Sequence, residues 1–160
     1  MTIKVGDRLP HATLMKASAE GPQPVDTDSY FAGRKVALFS VPGAFTPTCS
    51  ARHLPGFVEK ADELKAKGVD EVACVAVNDA FVLQAWAKDA GAEGKVTMLA
   101  DGNGEWAEAL GLTMDGARFG LGKRGSRWSA IIDDGVVKEL NVEEPGAFSV
   151  SSAEFMLGQL

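Results

Sequence analysis

Apolar positions along this chain fall into runs and periodic sets that predict most of its elements. Val36-Ala37-Leu38-Phe39-Ser40-Val41 is almost wholly apolar and reads as a buried strand over 35–41. After a turn rich in Pro and Gly the period changes. Leu54, Phe57, Val58, Ala61 and Leu64 share one face of a helix that begins near Thr48 or Cys49 and stops at Gly68. Pro55 lies inside it and predicts a kink, because proline removes a donor and crowds the preceding turn. Glu71-Val72-Ala73-Cys74-Val75-Ala76-Val77 is apolar on both faces, as a parallel strand covered by helices is. Asp79 is placed to cap the next helix, where Phe81, Val82, Ala85 and Trp86 recur at helical spacing. Val96-Thr97-Met98-Leu99 is a third strand, followed by a turn at 101–104 and a short helix carrying Trp106, Ala109 and Leu110. Residues 127–132 and 136–140 form a hairpin around Asp133-Asp134-Gly135. Residues 150–160 read as a closing helix capped by Ser151 or Ser152. Residues 1–30 read as short extended pieces with one helical turn at 27–31, and the glycine-rich 113–126 reads as a loop.

Parallel strands need crossover helices, and the last two strands are antiparallel. The expected fold is therefore α/β, a mixed central sheet flanked by helices in a thioredoxin-like order. A length of 160 residues suits one domain, 1–160, with a full core. Such a fold hosts many chemistries, so the site must decide the function.

Charge and cysteine usage narrow the classes. A net charge of −6 argues against a nucleic-acid partner and supplies no basic patch for a membrane surface. No apolar run approaches the length of a membrane span. The first residues, Met1-Thr2-Ile3-Lys4-Val5-Gly6-Asp7, lack a signal-peptide core, and the chain ends Gly-Gln-Leu without a targeting tripeptide. Two cysteines are too few for a disulfide scaffold, so a reducing, cytoplasmic setting is expected.

The chemistry centres on Cys49, which arrives where a helix follows a buried strand. Free N–H groups and the positive end of the helix dipole favour an anion there. A thiol so placed can have its pKa lowered from about 8.5 to between roughly 3.5 and 7.5, and the thiolate is the nucleophile. Thr46 puts a hydroxyl three residues before the thiol, and Pro42 stiffens the loop. His53, four residues after Cys49, can face the same site, although a packing or surface role is the commoner use of such a histidine. Trp86 and Trp128 stand at apolar positions and read as core aromatics.

The pattern Pro-x-x-x-Thr-x-x-Cys resembles the peroxiredoxin active-site motif. The longer string Val41-Pro42-Gly43-Ala44-Phe45-Thr46-Pro47-Thr48-Cys49-Ser50, with His53-Leu54-Pro55-Gly56-Phe57 behind it, is similar to the peroxiredoxin-5 and plant type II branch. The likeness continues through Cys74–Asp79, Trp86, Gly111-Leu112 and Arg127-Trp128-Ser129. It implies a thiol peroxidase that reduces hydrogen peroxide and organic hydroperoxides in antioxidant defence and redox homeostasis. Cys49 would pass through a sulfenic acid. Thr46 and Arg127 would supply side-chain donors to the departing oxygen, and backbone N–H groups of the Pro42–Cys49 loop, which Pro42 and Gly43 support, would add more. Arg118, Lys123 and Arg124 lie near Arg127, and the resemblance points to Arg127. It also implies no metal and no other cofactor, and a homodimer built on the 42–45 loop and the 116–125 segment. Glutathione, glutaredoxin or thioredoxin would be the electron donor.

Cys74 admits two readings. In an apolar strand it behaves as a small hydrophobe; by resemblance it could be a resolving thiol, although a mid-strand cysteine should not meet Cys49 without local unfolding. Other classes fit less well. A thioredoxin-type dithiol enzyme wants Cys-x-x-Cys, and Arg52 occupies that offset. Zinc would need paired ligand spacing, which His11, Cys49, His53 and Cys74 lack. A non-catalytic redox sensor or chaperone-like binding module would share the cysteine but need not turn over peroxide.

Overall fold

In a computed structural model, which describes residues 2–160 and leaves Met1 outside the described residues, the apolar run becomes strand β3 (Lys35–Val41). It lies near the middle of a seven-stranded sheet. The others are β1 (Thr13–Lys16), β2 (Gln23–Asp26), β4 (Glu71–Ala76), β5 (Thr97–Ala100), β8 (Trp128–Asp133) and β9 (Val136–Val142), in the order β2-β1-β5-β4-β3-β8-β9. β3, β4 and β5 run parallel, and β1, β2, β8 and β9 join antiparallel. The mixed sheet expected from the element order is present. Helix α1 (Thr27–Phe31) is the expected single turn. α2 (Leu54–Ala66), α3 (Ala80–Asp89), α4 (Glu105–Leu110) and α5 (Ala153–Leu157) flank the sheet.

Side chains alternate across the pleat, so the apolar runs of β3 and β4 feed two core layers. Phe39 and Cys74 lie on one face with Leu54, Phe57, Leu64 and Trp86. Leu38 and Val75 lie on the other with Phe31, Trp106 and Trp128. Both tryptophans expected in the core are there. Asp79 caps α3 by accepting from the Val82 N–H at 2.8 Å. The β8–β9 turn places Asp134 at φ 51° and Gly135 at φ 78°, the positive pair that a tight hairpin requires.

Three expectations are corrected. The helical stretch opens at Pro47 and divides at Leu54, with a π-helical turn over Cys49–His53 before α2. Residues 113–126 are not only loop: β6 (Thr113–Asp115) pairs antiparallel with β7 (Lys123–Gly125) around a 3-10 turn at Ala117–Phe119. Strands this short show no readable alternation. A Cβ at Gly116 would lie 2.7 Å from the Leu121 Cβ, so the turn closes only on glycine. The closing helix is short, capped by Ser152, whose hydroxyl accepts from the Phe155 N–H at 3.1 Å. Val150 and Ser151 instead donate to the Glu143 carboxylate.

Candidate active site

β3 ends at Val41 and delivers the chain into the 42–46 loop. Arg124 holds this loop: Nη1 donates to the Val77 carbonyl (3.2 Å) and, at 3.5 Å, to that of Pro42, while Nε donates to the Leu121 carbonyl (2.9 Å). Asn78 Oδ1 accepts from the Ala44 N–H at 2.9 Å. Gly43 leaves little room for a side chain, because a Cβ would stand 3.1 Å from Arg124 Nη1 and 3.2 Å from Thr46 Cγ2. Phe45 takes φ 65°, a conformation that costs a bulky residue about 1 kcal/mol or more. Its ring is 52% exposed and faces Trp86.

The helix then begins at Pro47, whose fixed φ and missing N–H suit the first helical position. The Thr46 carbonyl accepts the Ser50 N–H at 2.9 Å. Thr48 and Cys49 fall in the first turn, where backbone N–H groups have no intrahelical acceptor. The next turn widens: the Leu54 N–H bonds to the Cys49 carbonyl, five residues back. Pro55 stands at the first turn of α2, where it has no N–H to leave unpaired. The kink expected at Pro55 is thus taken up by the π turn before it. Ser50 is anchored from α3 by Trp86, whose Nε1–H donates to its Oγ at 2.9 Å.

Cys49 is fully buried, and Arg127 reaches it. Arg127 Nη2 donates to Sγ at 3.0 Å, and Nη1 lies 2.8 Å from His53 Nδ1. His53 Nε2 lies 2.9 Å from the Ser151 carbonyl. A guanidinium only donates and a carbonyl only accepts, so these partners fix a neutral imidazole protonated at Nε2 and accepting at Nδ1. Burial, then the Arg127 charge, pull the His53 pKa down to about 3. Phe39, Phe57 and Phe148 pack around its ring.

Thr46 lies in the loop that leads into Cys49, and its hydroxyl donates to the Gly43 carbonyl at 2.6 Å. With its proton engaged, Oγ1 presents lone pairs rather than the donor that the sequence resemblance implies. Pro42 and Gly43 shape the loop. Of the basic residues near Arg127, Arg124 binds loop carbonyls, Lys123 pairs with Glu108 at 2.7 Å, and Arg118 lies over Phe119. Cys74 is not part of the hydrogen-bonded group. It is a fully buried residue of β4, its thiol pKa pushed up by burial and by Cys49, and both cysteines are unbonded.

Spacing on the helix pointed to His53. Asn78 and Arg124 carried no such signal, because the loop groups they hold, Ala44, Pro42 and Val77, are remote from them in sequence. The arrangement aims a charged donor at the sulfur of a buried cysteine. The Arg127 guanidinium donates to the sulfur, and the same donor can stabilise negative charge on an oxygen brought against it.

A family model described as Redoxin matches residues 4–157. The chain is 53% identical to peroxiredoxin-2E, chloroplastic, of Arabidopsis thaliana over 99% of this chain and 70% of that protein. It is 48% identical to Arabidopsis peroxiredoxin-2B over 99% and 98%. Among solved structures, reduced Prx3 in complex with hydrogen peroxide from Vibrio vulnificus superimposes with a TM-score of 0.95 at 52% identity, covering 99% of each chain.

Proposed function

The chain belongs to the peroxiredoxins of the Redoxin family, and from that premise we propose that Cys49 is the thiol that meets the peroxide. The enzyme is a thiol peroxidase with a peroxide substrate and a thiol reductant. The observation that carries the assignment is the 3.0 Å contact from Arg127 Nη2 to the sulfur of a cysteine in a helix's first turn. The thiolate attacks one peroxide oxygen. An S–O bond forms as the O–O bond breaks, and the departing oxygen takes the electron pair and a proton to leave as water or an alcohol. Cys49 becomes a sulfenic acid, oxidised by two electrons. Arg127 and first-turn N–H groups stabilise the growing charge, and Thr46 Oγ1 accepts the peroxide's O–H and orients it.

A thiol then attacks the sulfenic sulfur, releasing water and leaving a mixed disulfide; a second thiol regenerates Cys49. We assign both to external donors of the glutathione, glutaredoxin or thioredoxin type, because burial keeps Cys74 protonated. We read the chain as one domain, since one sheet carries both core layers. A homodimer is supported by the exposed rings of Phe45 and Phe119, at 52% and 74% exposure on the segments named for it. Two cysteines and no disulfide fit a reducing, cytoplasmic setting.

Cys49→Ser is expected to abolish peroxide reduction with a native thermal melt. Steady-state peroxide consumption at the wild-type rate in that variant would remove Cys49 from the reaction.

A further inference from the structure

Glu143 follows β9 and is 9% exposed. One of its oxygens, Oε2, accepts four hydrogen bonds: from the Ser149, Val150 and Ser151 N–H groups at 2.7, 2.8 and 2.8 Å, and from the Ser151 hydroxyl at 2.7 Å. Its own N–H donates to the Arg127 carbonyl at 3.0 Å. The Ser151 carbonyl accepts from His53 Nε2–H, His53 Nδ1 accepts from Arg127 Nη1, and Arg127 Nη2 reaches Cys49. The connections form a ring that begins at the backbone of Arg127 and returns to its guanidinium.

We propose that Glu143 is a positioning residue for the reaction: by gathering three successive N–H groups it aims the Ser151 carbonyl at His53, and so fixes the imidazole tautomer that holds the Arg127 fork against Cys49. The inference rests on the reading of Cys49 as the reacting thiol. The physical need for it is specific. An imidazole can present either nitrogen as acceptor, and only the Nε2–H form offers Arg127 a lone pair. Without a carbonyl at a fixed place behind Nε2, the Nδ1–H form would compete, and its N–H would face a guanidinium that can only donate. A connecting segment of serines and a valine does not hold a carbonyl to a few tenths of an ångström unaided. Four bonds to one buried carboxylate oxygen do so, each strengthened by its charge. Glu143 touches neither thiol nor substrate; it acts through two intermediates, Ser151 and His53.

The test uses three variants of the full chain. Glu143→Gln keeps an oxygen that can accept but removes the charge. Glu143→Leu removes the acceptor, and Glu143→Asp keeps the charge but withdraws it by one methylene, so it serves if the leucine variant does not fold. Two readouts are taken on folded protein. One is the rate constant for hydrogen peroxide reduction by stopped flow. The other is the pair of imidazole 15N shifts of His53, assigned in a His11→Asn background, since the chain has two histidines. Glu143→Leu or Glu143→Asp should slow peroxide reduction by about tenfold or more, and the His53 nitrogens should move to values averaged over both tautomers. Glu143→Gln should stay within about threefold of wild type with the tautomer kept. A folded leucine or aspartate variant with wild-type rate overturns the proposal. So does a slowed variant whose His53 tautomer is unchanged, and so does a glutamine variant slowed as much as leucine, which would make charge rather than geometry the cause. The nitrogen shifts do not depend on which thiol reacts, so a failure of the Cys49 assignment would leave them unmoved and would show instead in Cys49→Ser.

Discussion

At the scale of single residues, the site separates two arginines that lie three apart. Arg127 gives both Nη groups to the Cys49–His53 pair, whereas Arg124 gives its donors to the carbonyls of Leu121, Val77 and Pro42. Removing a charged donor from the reacting group should cost about 3–4 kcal/mol in the transition state. Arg127→Met is therefore expected to slow peroxide reduction by at least ~100-fold. Arg124→Met loosens the loop and should do much less. Stopped-flow peroxide decay on the two variants decides, and a larger loss in Arg124→Met would transfer the role. His53 makes a second prediction, on stability. Its folded pKa of about 3 lies below the ordinary 6.5, so between those values the unfolded chain binds the extra proton. The stability it supports is complete above pH 6.5 and falls as pH drops toward 3, by about 2 kcal/mol at pH 5. Glu143, where burial raises the pKa but bonds from Ser151, Ser149 and Val150 pull it down on balance, loses its share only at lower pH. His11, raised by Asp26, works the other way. Urea unfolding of His11→Asn at pH 7 and pH 5 should show the fall; equal midpoints would mean that His53 is not held neutral.

At the scale of elements, what was legible is what has a period. β3 appears over the residues its apolar run predicts, α3 begins at the cap that Asp79 predicts, and the β8–β9 hairpin turns at Asp134-Gly135. In each case local sequence and tertiary burial ask for the same conformation. The π turn at Cys49–His53 was not legible. Pro55 signalled an interruption, but a proline near a helix start is compatible with a kink, a new helix or a widened turn. The structure has the last, with Ser50 of the widened turn anchored by Trp86. The β6–β7 pair was missed because three-residue strands held by backbone bonds leave no side-chain signature. Cys49 and Arg127, which the structure brings into contact, were named from a local motif and a resemblance. Glu143 and Ser151 lie 94 and 102 residues after Cys49 and join its surroundings only through the fold, by way of β9 and the segment before α5. No periodicity encodes a carboxylate that meets three backbone amides.

At the scale of the whole molecule, the open issue of chemistry is how an oxidised Cys49 is returned to the thiol, and burial decides it. Cys49 and Cys74 belong to the same core layer and are both fully buried. Cys74 cannot move toward its partner, because β4 is paired on both sides: Cys74 stands opposite Phe39 in β3 and Met98 in β5. A disulfide needs Cα atoms within about 7 Å and matching Cβ directions, so any adjustment would fall to the Cys49 segment. Unwinding that segment breaks the Arg127 and His53 bonds and the Leu54 and Phe57 packing, at a net cost of about 1 kcal/mol per hydrogen bond and more for each large apolar side chain exposed. Burial also keeps Cys74 protonated and a poor nucleophile. An external thiol meets a smaller demand: it needs the first helical turn to yield beside the exposed Phe45 loop, while the strands stay in place. Cys74→Ser is therefore expected to retain most activity with glutathione or glutaredoxin as donor. Peroxide-treated wild type should carry a sulfenic acid or a mixed disulfide at Cys49. Mass spectrometry under non-reducing conditions reads this directly. A dominant Cys49–Cys74 peptide, together with lost turnover in Cys74→Ser, would show that the core opens far enough for the strand cysteine to resolve the intermediate.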